Sequence, residues 1–135
     1  LAEGVAHGVV RCTYRDVPCQ ARLDWLNPQS GIVAIHVCDS LDWLESTLRT
    51  GGPIHSLTFQ RALLAEMTGK PVPAHVVAVE ESRPHRCGVW RVSPWLLGQA
   101  QRENQKALAR LRRCRESDHW PTGYETVRTL SPIGF

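Results

Sequence analysis

Lysine is nearly missing from this chain. Only Lys70 and Lys106 occur in 135 residues, so almost all of the positive charge is arginine. A catalytic lysine is therefore hard to place. Apolar runs are short: none approaches the roughly 18 residues that cross a bilayer. No basic-then-apolar leader opens the chain. No membrane partner is expected. The five cysteines, at 12, 19, 38, 87 and 114, include no CxxC pair. That spacing argues against a zinc knuckle and indicates no disulfide framework, so a reducing, cytoplasmic location is expected. Internal repeats and low-complexity segments are also missing. The net charge of +3 is small. It permits nucleic-acid binding without demanding it.

What is present is an ordinary globular composition, 42% hydrophobic and 21% charged, in a length that suits one domain with a real core. Val5 to Tyr14 alternates loosely and reads as a strand. Arg15-Asp16 turns, and Val17 to Leu26 returns to close a hairpin. Asn27-Pro28-Gln29-Ser30-Gly31 is dense in turn formers. Ile32 to Val37 is a third strand, apolar enough for the middle of a sheet with both faces covered. Asp39-Ser40 is suited to cap a short helix or loop through Leu48. Pro53 fits a first helical turn, and Ile54 to Thr68 reads as a helix closed by Gly69. Its apolar residues are Leu57, Phe59, Leu63, Leu64 and Met67. His75 to Glu80 and Arg86 to Val92 are two further strands.

Ser93 caps a last helix with Pro94 at its first position. Its expected buried stripe is Leu97, Ala100, Ala107, Leu111 and Cys114. Its other face carries Arg102, Lys106, Arg110, Arg112, Arg113 and Arg115 against Glu103 and Glu116. The tail through Trp120 and Tyr124 is irregular. The order β-β-β, helix, β-β, helix predicts an α/β or α+β domain: a mixed sheet with helices packed on it.

The stretch Cys19 to Trp43 carries the chemical interest. It holds Ala21-Arg22-Leu23-Asp24-Trp25, then Gly31-Ile32-Val33 entering the central strand, then Cys38-Asp39-Ser40-Leu41-Asp42-Trp43. With Asp16-Val17-Pro18-Cys19, Val77-Ala78-Val79-Glu80, Arg86-Cys87-Gly88-Val89-Trp90 and the tail Cys114 to Tyr124, these residues resemble the PD-(D/E)XK nuclease superfamily. The resemblance is to its phage RecE-like exonuclease branch, with the lambda-type and YqaJ exonucleases. It covers nearly the whole chain.

It implies a single restriction-endonuclease-like domain over 1–135, lacking the family's N-terminal helical region. It also implies Mg2+ or Mn2+ in the family, DNA as partner, and a place in phage DNA recombination.

The resemblance aligns Asp24 with the first acid of the motif. The acid-x-lysine motif falls on Ala34-Ile35-His36, and both functional positions depart from it. The Gln-x-x-x-Tyr motif of the following helix falls on Ser56 and Gln60, which depart as well. An acid of the first strand falls on His7. Magnesium wants hard oxygen ligands in near-octahedral geometry, and one carboxylate holds it poorly. An imidazole at 36 is shorter than a lysine and is not a fixed cation.

Asp24 is a weak metal ligand, half of an ion pair with Arg22 on a shared strand face, or a turn residue. His36 with Asp24 and His7 would suit a transition metal; the plainer reading is a core or partly exposed histidine with a hydrogen-bond partner. Cys38 with His36 would make a nucleophilic pair only if the two converged.

Arg22, Lys106, Arg110, Arg112 and Arg113 are the candidate DNA contacts, or a solvated face. The tryptophans at 25, 43, 90, 95 and 120 are core and interface anchors or base-stacking platforms. The expected function is a catalytically inactive nuclease-fold module that binds DNA, a protein partner or a second copy, with metal bound weakly or not at all. The alternative is an active metal-dependent exonuclease with substituted ligands.

Overall fold

Two long antiparallel arms open the chain, and they bend together. The computed structural model describes residues 3–133. The first arm contains β1 (Val5–Ala6) and β2 (Val9–Tyr14); the second contains β3 (Val17–Arg22) and β4 (Trp25–Asn27). Val9 pairs Arg22 and Val5 pairs Leu26, so one register runs through both halves. Between them His7 N donates to Asp24 O (3.2 Å) and Leu23 N to Gly8 O (2.8 Å). The expected hairpin is there, but neither arm is one strand. Each breaks at the bend, so β2–β3 leaves the sheet as a separate two-stranded ribbon while β1 and β4 stay in it. His7 has φ 55° at this point, in the left-handed region, which few non-glycine residues adopt and histidine adopts more readily than most.

The main sheet has the order β1-β4-β5-β6-β7, with β5 (Gly31–Cys38) central as expected, β6 (Ala74–Glu80) parallel to it and β7 (Cys87–Arg91) antiparallel at the edge. The β5-to-β6 connection is helical, as parallel neighbours require. A 3₁₀ turn (Leu41–Trp43) capped by the Ser40 hydroxyl leads into α1 (Leu44–Thr50), then α2 (Gly52–Thr68), which ends at Gly69 with φ 86°. The last helix is α3 (Pro94–Ser117), whose Leu96 N–H donates to the Ser93 hydroxyl. This is the predicted mixed α+β architecture.

Alternation divides β5 and β6 cleanly. Ile32 with Ala74, Val76 and Ala78 points into a core closed by Leu57, Leu63 and Thr58 of α2, all at most 1% exposed. The other face of β5 is not covered. Ile35 and Val37 are 52% and 63% exposed, and Val89 of β7 is 68% exposed. The expectation that both faces of β5 are buried is corrected: a continuous apolar run looks the same whether one face or two is covered.

Other expected core residues also lie outside it. Met67 (58%) and Ala107 are exposed, and Leu111 is half-buried. Trp43, Trp95 and Trp120 are exposed and only Trp25 and Trp90 are half-buried, so most of the tryptophans are not core anchors. The Tyr14 and Phe59 rings meet edge to face at 6.2 Å, and Gln105 donates to the Tyr14 hydroxyl, tying the ribbon to α2 and α3. Among the described residues no helix is long and apolar enough to cross a membrane.

Candidate functional site

Asp24 lies in the bend between β3 and β4 rather than on a strand. Its Oδ2 accepts the Ile35 N–H at 2.9 Å, where β4 has not yet begun to pair with β5. The carboxylate therefore takes the place of a missing strand partner. Because the bent hairpin keeps its register, His7 lies opposite Asp24 on the backbone ladder. Asp24, His7 and the segment around Ile35 thus share one corner. Arg22 closes β3, and no ion pair joins it to Asp24 among the described residues. The bend separates the two, so they share no strand face.

Ala34 and His36 flank Ile35 and alternate with it, so both project to the helix side of the sheet. Both are half-buried, beside Val76 and Ala78 in the parallel register. The His36 ring makes no hydrogen bond to protein among the described residues, contrary to expectation. Ser56 is exposed and Gln60 half-buried, one turn apart on α2.

This donor set does not fit the hard divalent cation that the resemblance implies. One Asp24 oxygen already accepts a backbone N–H, Ala34 offers nothing, and His36 offers a nitrogen where an oxygen is preferred. Among the described residues no three His, Cys, Asp or Glu side chains converge to hold a metal, including His7, Asp24 and His36. Cys38 packs its Sγ against Val79 O at 3.7 Å, and burial, then Glu80 and Asp39, push its thiol pKa up. It is a poor nucleophile for a His36 partnership.

The strongest electrostatic feature is one that the apolar pattern of the sequence does not announce. Glu80 ends β6 on the buried face, and both its oxygens accept from Arg86: Nε at 2.6 Å and Nη2 at 2.7 Å. The Leu41 N–H adds a third bond at 3.1 Å. The Arg86 hydrogen bonds, then Leu41, hold the Glu80 pKa down to about 2. Arg86 also reaches Asp42 at 3.5 Å. The clamp ties the β6–β7 turn to the entry of α1. A signal for it does exist: Glu80 occupies a core phase, two residues after Ala78 and four after Val76.

A depressed carboxylate pKa stabilises the fold above the ordinary value and ceases to do so as pH falls through the shifted one. Glu80→Gln therefore lowers the thermal midpoint at pH 7. The gap to the parent closes between about pH 4.5 and about 2. Melts by circular dichroism across that range check it; a gap that stays constant down to pH 3 would contradict an ionised clamp.

The basic residues of α3 are exposed except Arg112. Arg102, Lys106, Arg110 and Arg113 are exposed along one helical stripe. Arg112 is half-buried and paired with Asp16 (3.6 Å) and Glu116 (3.8 Å). Arg110 Nη2 donates to Pro121 O at 3.2 Å. Glu103 is bonded to His55 of α2, which draws its pKa down.

No family model matches the chain, and no curated protein matches it. Among solved structures it is similar to a crystal structure from Eubacterium rectale named as a putative exonuclease. The TM-score is 0.76 at 14% identity, over 96% of this chain and 55% of that one. The chain thus spans about half the length of that protein. At this identity the likeness concerns the fold. A bent hairpin feeding a five-stranded mixed sheet, with helices packed on it, is therefore the fold that this chain shares with that protein.

Proposed function

We propose that this chain is a nuclease-fold domain, descended from a phage-type recombination exonuclease of the RecE-like branch, that binds DNA without cutting it. One observation carries the reading. The strand position held by Asp24 is Ile35, and the residues on either side of it are Ala34 and His36. The corner thus lacks both the second carboxylate and the cation that metal-dependent phosphodiester hydrolysis uses. The exposed stripe of Arg102, Lys106, Arg110 and Arg113 supplies a surface for phosphates.

Duplex DNA is expected to bind weakly and with strong salt dependence. Arg102→Ala with Arg113→Ala should flatten the slope of log K against log salt by about 0.9 for each phosphate no longer neutralised. Fluorescence anisotropy with a labelled duplex reads this. A slope equal to that of the parent would move DNA off α3, and no binding at low salt would reject the DNA module.

A further inference from the structure

The fold brings together two features that are far apart in kind along the sequence. Asp118, with φ 53°, ends α3 and reverses the chain. The Arg110 bond to Pro121 O then holds the returning segment against the helix. Between them lies a groove of about 500 Å³, within the range that takes small ligands, on the order of 300–1,000 Å³. Its floor is Ala107, Leu111 and Cys114, one apolar stripe at i, i+4 and i+7. Trp120 forms one wall, 54% exposed, and Lys106 and Arg110 form the rim. The nearby carboxylates are engaged elsewhere, Glu103 with His55 and Glu116 with Arg112. An apolar slot with an aromatic wall and two cations at its mouth is complementary to a flat ring carrying an anion.

We propose that this groove holds an unpaired DNA strand, with a base against the Trp120 ring and its phosphates on Lys106 and Arg110. The inference rests on the DNA-binding reading above and specifies the form of DNA. Duplex bases are already stacked and offer no free face to Trp120, whereas unpaired bases do. The groove shares Lys106 and Arg110 with the α3 stripe. A displaced strand in the groove therefore leaves Arg102 and Arg113 for duplex phosphates.

The test uses the whole chain, a labelled 12-mer of oligothymidine and a labelled 12-base-pair duplex, at low salt. Trp120→Ala should weaken oligothymidine binding about fivefold or more, the effect of removing one stacking partner. Trp120→Phe should restore most of it. Lys106→Gln should reduce the salt slope for the single strand by about 0.7. Duplex binding should be indifferent to Trp120. Trp120 is exposed in an irregular segment, so its replacement spares the core, and the Phe variant separates stacking from tail packing. Oligothymidine binding that is unchanged in Trp120→Ala, or absent in the parent, overturns the groove. If the duplex still binds and still depends on Arg113, the DNA module survives that result; if neither DNA binds, both readings fall.

Discussion

Incubated with manganese and linear duplex DNA, the chain should release no nucleotides above background. The corner that would do the work has one carboxylate, and one of its oxygens is committed to Ile35 N–H. Hydrolysis of a phosphodiester by a divalent metal relies on metal-bound water and on charge stabilisation at phosphate. Loss of one such group costs on the order of 10²-fold in rate. Two are missing, at Ala34 and His36, so the expected deficit is several orders of magnitude.

The converse experiment is Ala34→Asp with His36→Lys. The introduced carboxylate would be half-buried beside Val76 and near Asp24, which costs stability without a cation to neutralise it. The double variant should melt lower than the parent in chelator and recover with manganese, because a ligand that binds only the folded state stabilises it. Calorimetry should show manganese affinity gained. Robust cleavage by the parent that vanishes in Asp24→Ala would refute the inactive reading. Negligible manganese affinity in both proteins would mean that the site lies elsewhere.

The largest structural effect is expected at Gly31, where β5 starts. Its φ is 101°, and a Cβ there would stand 1.9 Å from the Pro73 carbonyl oxygen. That oxygen also accepts the Ile32 N–H, so the close approach is part of how β5 and β6 come together. Backbone cannot step aside as a side chain does. Gly31→Ala should cost roughly 2–6 kcal/mol, strain and clash together, a large share of an ordinary domain's roughly 5–15 kcal/mol. Gly69 is the control. Its φ is 86°, but no atom lies within 4 Å of a Cβ there, so Gly69→Ala should cost only roughly 1–2 kcal/mol, the backbone strain alone. Urea midpoints of the two variants decide it; equal losses would mean that Pro73 is not the obstacle.

Much of this architecture is legible in the sequence because its signals are local. Ser93-Pro94, Gly69 and the Arg15-Asp16 turn mark ends through caps and dihedral preferences that act within a few residues. The bend at His7-Gly8 and Leu23-Asp24 is not, because alternation continues across it with no change of phase. Only Gly8 hints at it. The open face of β5 escapes for a related reason: Ile35 and Val37 read as buried because they are apolar, and nothing in a strand reports what lies above it. Ala107 and Met67 satisfy the helical period yet lie beyond the reach of the neighbouring elements.

At the site, Asp24 stands out in the sequence, but its partner is a backbone amide that no residue pattern encodes. The Glu80 clamp stays hidden because a strand read only for its apolar members conceals its charged one.

The uncovered side of the sheet has a thermodynamic consequence. Ile35, Val37 and Val89 keep half or more of their surface in water in the folded state. Their hydration therefore contributes little to the difference in heat capacity between the folded and unfolded states. That difference, ordinarily about 12–15 cal/mol/K per residue, is set by the covered side of the sheet, so replacing these three residues by threonine should leave the curvature of stability against temperature almost unmoved.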